Sequence, residues 1–318
     1  MVTQPSPETS TRTGLLAAVG AYGLWGVLPV FFLLLVPAGA FEIVGWRILF
    51  SLVVCALVIT VARRWSRVVA IVRRPRILLG LGLAGHLILV NWTVYVYGTL
   101  SGHVVETALG YFINPIVTVL LGVLLLRERL RPLQWTAVGL SAVAVAVIAV
   151  GYGQLPWVSL ALAGSFGLYG LVKKRVSGGA DALSGLALET AWLVPAATTM
   201  LVITGAGAGL TIGTVSLGHT LLLVSTGVVT AGPLLLFGFA AGRLPLSVIG
   251  LTQYLAPLLQ FAFGVFVMHE AMPPERWAGF AIVWAALVLL TSDMLRTARR
   301  ASSPSVPIRR DPAVVEGI

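Results

Sequence analysis

Charge is scarce in this sequence. Asp, Glu, Lys and Arg make up 10% of its 318 residues, against about 25% in soluble domains. With 58% hydrophobic residues and a mean hydropathy of +0.98, the composition does not suit a water-soluble core. Cysteine is nearly absent too. Cys55 stands alone in an apolar run, which excludes an intrachain disulfide and a Cys-based metal site. The four histidines, His86, His103, His219 and His269, are scattered and form no HExxH-like spacing. There is no GxxxxGK(S/T) loop to cradle a nucleotide phosphate. No enzyme motif, metal or cofactor is therefore expected, and direct ATP drive is not. Residues 1–13 also lack an apolar core, so the first hydrophobic run reads as a retained span and not as a cleaved signal.

Long apolar runs dominate what remains. A bilayer-spanning helix needs about 20 apolar residues. Ten candidates lie near 14–35, 41–62, 77–100, 104–126, 132–151, 155–173, 180–204, 216–240, 246–268 and 276–295. An even number puts both termini on one side. Of the 21 Lys and Arg, all but Arg47 and Arg276 then fall on the termini's side, in "RRWSRVVAIVRRPR", "RERLR", "KKR", Arg12, Arg243 and the tail. Opposite loops such as "VPAGA" and "GYGQLP" carry no positive charge. The positive-inside rule makes the termini cytoplasmic. The net charge of +10 thus reads as topological anchoring, with the bilayer as partner and no nucleic acid. The basic segment 296–318 reads as a disordered cytoplasmic tail near anionic lipid.

Two correspondences indicate a duplication. "GAYGLWG" from Gly20 is echoed by "GSFGLYG" from Gly164. More tellingly, "LGYFINPIVTVLLGVLLLRERLRPLQW" from Leu109 aligns without gaps on "LTQYLAPLLQFAFGVFVMHEAMPPERW" from Leu251. That register pairs Pro115 with Pro257, Gly122 with Gly264, Glu128 with Glu270, Pro132 with Pro274 and Trp135 with Trp277. Apolar letters repeat easily by composition; proline, glutamate and tryptophan in one register do not. The predicted organisation is a first repeat over 14–151 and a second over 155–295. Five spans is an odd number, so the second repeat enters the membrane inverted, an arrangement recurrent in secondary transporters.

The segments "GAYGLWGVLPVFF", "EIVGWR", "NWTVYVYGTLSGHVVETALGYFINP", "SFGLYGLVKK" and "GPLLLFGFAAGRLPLSVIGLTQYLAP" run over nearly the whole chain. On these the chain resembles the EamA branch of the drug/metabolite transporter superfamily, closest to the RarD (chloramphenicol-sensitive protein) group. It departs at Trp46, where that pattern has a histidine. The resemblance implies an all-α polytopic protein of ten helices in two inverted EamA repeats around a central cavity. It also implies movement of small organic solutes across the bacterial inner membrane.

Charged residues within apolar spans usually face the bundle interior. Arg47 and Glu189 are repeat equivalents of opposite sign, and they read as a gating or substrate-sensing pair. The competing readings are a buried ion pair that only joins the halves, and an Arg47 that snorkels to the interface. Asn91 and Tyr95 share a helix face with Trp92 beside it, a surface suited to an aromatic or amphipathic solute or to plain helix packing. Their repeat partners include Phe237. Tyr111, Asn114 and Pro115 cluster in the fourth span, as Gln253, Tyr254 and Pro257 do in the ninth. Each proline removes a backbone donor, so both are candidate kinks. Gln260, Trp25 and Tyr169 complete the cavity candidates, and Gly23 and Gly167 are the candidate sliding contacts.

Glu128 and Glu270 each precede a helix-opening proline and read as caps for the next helix. Glu106, near His103, reads either as a titrating group or as a solvated helix start. His86 reads as a helix–helix hydrogen-bonding residue. The leading expectation is a permease for a drug, amino acid or metabolite using alternating access. An intramembrane enzyme on lipid-like substrates and a non-transporting sensor are the alternatives, and a homodimer is the candidate assembly.

Overall fold

The computed structural model describes residues 7–126, 130–153 and 155–301. Among them the chain is helical throughout, with no strand. The first part comprises α1 (Pro7–Gly26), α2 (Leu28–Leu33), α3 (Ala40–Val61), α4 (Trp65–Val72), α5 (Pro75–Leu100), α6 (Val104–Leu126) and α7 (Pro132–Tyr152). The second comprises α8 (Trp157–Val176), α9 (Ala182–Trp192), α10 (Val194–Ala206), α11 (Leu217–Ala241), α12 (Leu246–Thr252), α13 (Leu255–Ala262) and α14 (Pro274–Ala301). Phe263–Val267 adds a π-helical turn to the end of α13.

Local chemistry explains the starts and stops. Prolines open α5, α7 and α14, where the missing N–H has no intrahelical partner to lose. Asp181 caps α9 by accepting from the Ser184 N–H at 3.2 Å, and Ser216 caps α11 through the His219 N–H at 3.0 Å. Gly153 ends α7 at φ +67°, a left-handed turn that glycine takes without strain.

Proline also breaks helices, but selectively. Pro29 cannot donate to the Trp25 carbonyl four residues back, and α1 gives way to α2 at Val27. Pro195 accompanies a 46° bend between α9 and α10. Of the two predicted kink prolines, Pro257 sits just past the break at Gln253–Tyr254, whereas Pro115 lies within an uninterrupted α6. The two prolines that share a sequence register therefore do not give equivalent interruptions.

Among the described residues, eight helices or helix combinations are long and apolar enough to cross a membrane, nine if α9 and α10 count as one span. Helix α8 falls short because Lys173, Lys174 and Arg175 occupy its last turn. Its apolar stretch thus ends at Val172, before the roughly 20 residues of a full span. Two sequence expectations need adjustment. The basic loop after α3 contains a helix, α4, which buries Val68 and Ile71 one turn apart. Helix α14 runs to Ala301, so the tail begins later than 296; "RTARR" contains no helix breaker. Glu128, the far N-terminus and residues 302–318 lie outside the described residues.

Among the described residues the helices pack around four apolar clusters, of which two are larger. One lies among α2, α3, α5, α8, α10 and α11, with Phe32, Ile43, Ile48, Leu162 and Leu193 fully buried. The other joins α6, α7, α13 and α14 around Phe112, Phe261 and Phe280. The principal pairings set α1 against α11 and α13, and α8 against α5 and α6. Helix α3 meets α11, α5 meets α9, and α7 lies along α14.

Candidate functional site

Helix α3 carries Arg47 into the first core, where the residue is 4% exposed. Its Nε donates to the Thr230 hydroxyl of α11 at 2.8 Å. The guanidinium lies 4.2 Å over the Trp92 ring and 5.5 Å from the Phe32 ring. A cation over aromatic faces recovers part of the hydration it has lost. Arg47 Nη1 is nevertheless buried with no hydrogen-bond partner among the described residues, and so is the Tyr95 hydroxyl.

From this cage a run of rings crosses the molecule. Phe32 meets Tyr95 at 5.8 Å, Tyr95 meets Tyr111 at 5.6 Å, Tyr111 meets Phe166 at 6.0 Å, and Phe166 meets Tyr169 at 5.8 Å. At its far end the Tyr169 hydroxyl donates to Glu189 Oε2 at 3.3 Å, while Lys173 Nζ contacts Glu189 Oε1 at 2.5 Å. Tyr169 and Lys173 are four apart on α8, so one helix face supplies both partners.

Of the readings the sequence offers, these contacts correct that of a buried ion pair between Arg47 and Glu189. The two do not bond; each has partners of its own, and aromatic rings intervene. Arg47 does not snorkel either, because the whole side chain is buried. Lys173 is the residue that sequence reasoning missed. In sequence it reads only as one of the anchoring charges, although its spacing from Tyr169 is legible.

Asn91 is buried and braces three helices. Its Nδ2 donates to the Leu162 carbonyl and the Ser165 hydroxyl, both at 3.2 Å, and its Oδ1 accepts from the Tyr111 hydroxyl at 3.0 Å. It therefore orients Tyr111, and Ser165 is a partner no motif announced. Asn114 Oδ1 is buried beside Gly167 without a partner among the described residues.

Trp25, Tyr22 and Phe237 form a separate ring cluster, with Trp25 5.3 Å from Tyr22 and 6.1 Å from Phe237. Gln260 Nε2 donates to the Trp25 carbonyl at 3.1 Å, the same carbonyl that Pro29 leaves free. Trp46 stacks on Phe50 at 5.5 Å. Tyr254 points to Thr291 of α14 at 3.4 Å, away from the ring run, and the half-buried Gln253 marks the break before it. Gly167 allows close approach: a Cβ there would sit 3.1 Å from Leu121 of α6. Gly23 meets nothing within 4 Å, and the close contact in its motif belongs to Gly26, where a Cβ would lie 2.6 Å from Leu259. The contact predicted at Gly23 is thus displaced by one helical turn.

The glutamates at helix ends clamp remote segments. Glu270 accepts from the Val104 and Val105 N–H groups at the start of α6, at 2.5 and 3.0 Å, and so caps that helix instead of the neighbouring α14. Burial pushes the Glu270 carboxyl above its ordinary range, against these hydrogen bonds and Arg276 at 3.9 Å. Glu106, half-buried in the first turn of α6, accepts from the Val158 N–H at the start of α8 and so links the two helix starts. Glu42 accepts from Thr211 and Ile212. His86 bonds the Gly82 carbonyl within its own helix, and not a neighbouring one.

The profile of the EamA-like transporter family matches residues 12–150. "Protein RarD" of Streptomyces exfoliatus is 54% identical over 293 residues, 92% of each chain. A Vibrio cholerae protein named "Uncharacterized transporter" is 41% identical over 92% of this chain and 98% of its own. One crystal structure matches with a TM-score of 0.55 at 18% identity, covering 93% of this chain and 99% of that one; this is a likeness of fold.

Proposed function

On the premise that the chain belongs to the EamA-like transporter family, with RarD proteins as relatives, we propose that it is a secondary transporter. It moves a small organic solute across the inner membrane by alternating access between two inverted five-helix halves. In this reading α8 is also a crossing, the sixth in chain order, shortened by its basic last turn, and both termini are cytoplasmic. The protein is then a carrier and not an enzyme.

One observation carries the proposal: the helix packing is largely preserved when the halves are exchanged. Replace α1 by α8, α3 by α9 and α10, α5 by α11, α6 by α12 and α13, and α7 by α14. The pairing of α1 with α11 then becomes that of α8 with α5, α1 with α13 becomes α8 with α6, and α3 with α11 becomes α9 with α5. The pairs α7–α14, α6–α13 and α3–α10 map onto themselves. Such interchange supports two states of similar energy related by the exchange, and these are what alternating access requires. The sequence register of Pro115 on Pro257 supports the same assignment.

The test is reconstitution of the full chain into liposomes with labelled amino acids, metabolites and drugs, with and without a pH gradient. Saturable flux and counterflow are expected for at least one class. Binding without flux across the panel would count against transport and favour a sensor.

A further inference from the structure

We propose that Arg47 and Tyr95 hold the carboxylate of an organic anion, with the neighbouring rings receiving its apolar body. The starting point is an imbalance. Among the described residues no carboxylate lies within ion-pair distance of Arg47, although burial of a guanidinium without a counter-charge is costly. Thr230 satisfies Nε alone, and Trp92 and Phe32 offer only ring faces. Nη1 is left with hydrogens to donate in the apolar core.

Tyr95 supplies the second donor. It is 3% exposed, its hydroxyl has no partner among the described residues, and it lies within electrostatic range of Arg47. The geometry joins them independently, since Phe32 touches both the guanidinium and the Tyr95 ring. Two unsatisfied donors, one of them cationic, suit an anion and repel a cation. A carboxylate accepts from both at once, and charge-assisted bonds of this kind are among the stronger ones. Tyr111 is not a third free donor, because its hydroxyl is committed to Asn91. Its ring, with those of Phe32 and Trp92, instead makes an aromatic wall that matches a flat or apolar body.

Glu189 plays no part in holding the anion, since Lys173 neutralises it at the far end of the ring run. Binding of the anion does not require the transport reading; only its passage across the membrane does. The two therefore fail separately.

The experiment uses the full-length protein in nanodiscs and measures binding of radiolabelled benzoate and phenylacetate against their amides. Saturable binding of a carboxylate but not of its amide is expected. Arg47→Met should weaken it about 10- to 100-fold and Tyr95→Phe about 3- to 10-fold, as expected for lost hydrogen bonds to a charged ligand. Arg243→Met, which removes an equal charge from a loop, should leave it within about twofold. Size-exclusion profiles check folding, and the isosteric Tyr95→Phe keeps the test decisive if Arg47→Met aggregates. Equal binding of acid and amide, no saturable binding of either acid, or wild-type affinity in Tyr95→Phe would overturn the proposal. Selective carboxylate binding without flux in liposomes would sink the transport reading alone. Flux of a neutral solute that survives Arg47→Met, with no carboxylate bound, would sink the anion site alone.

Discussion

Arg47 and Glu189 stand 142 positions apart, the offset at which the two halves of the sequence align, are both buried in the bundle, and could hardly be held more differently. Glu189 is held by Lys173 and Tyr169, both of α8. Arg47 reaches across the sequence to Thr230 and otherwise rests on rings. One charge is neutralised locally. The other keeps a donor in reserve and reaches Thr230 of α11. A shared sequence register thus leaves the side chains at matched positions free to diverge into a structural pair and a site.

The sharpest way to break this comparison is to remove one partner from each charge. Lys173→Met strands Glu189, whose side chain is 2% exposed. A stranded buried charge costs roughly 3–5 kcal/mol, with protonation of the carboxyl setting the ceiling. The thermal midpoint should fall clearly, and Lys173→Met with Glu189→Leu should recover most of it. Arg47→Met strands nothing, so its stability should change by less than about 1 kcal/mol while carboxylate binding is lost. Equal destabilisation by the two single variants would erase the distinction.

The glycine motifs extend the contrast to packing. Gly26→Ala drives a methyl against the Leu259 side chain at its base, where it has little room to swing away. Overpacking of this sort costs about 1–3 kcal/mol. Gly23→Ala enters open space and should stay within about 0.5 kcal/mol. Thermal unfolding of both in one detergent tests the pair; similar losses would mean that the motif acts as a unit.

Glu270 gives the smallest effect. Because burial raises its carboxyl in the folded protein, the folded state holds that proton to higher pH than the unfolded chain does. Its contribution is therefore present at low pH and is lost as pH rises from the ordinary glutamate range through the raised value. Glu270→Gln should flatten that slope in a melting-temperature profile. A slope unchanged by the substitution would assign it to another group.

Much of the fold is legible because the bilayer imposes long apolar runs and proline punctuates them. The spans starting near 41, 104, 132 and 216 agree closely with α3, α6, α7 and α11. What resists reading is the partner of each polar group. Glu270 reads as a cap for the helix beside it in sequence, yet its acceptor capacity goes to α6, 165 residues away. Pro115 and Pro257 share a register, but only the helix around Pro257 is interrupted, because a proline leaves one bond unmade and the surroundings decide whether the helix yields. The Tyr169–Lys173 spacing is visible in the chain; its target is not.

The amino-acid sequence by itself determined a helical membrane protein, since scarcity of charge and apolar length are properties of the chain. Only the tertiary structure decided which buried charge is satisfied. Whether Arg47 meets a carboxylate, a hydroxyl or a ring depends on how α2, α3, α5 and α11 converge, with Thr230 183 residues away in sequence, and linear spacing carries no measure of that distance.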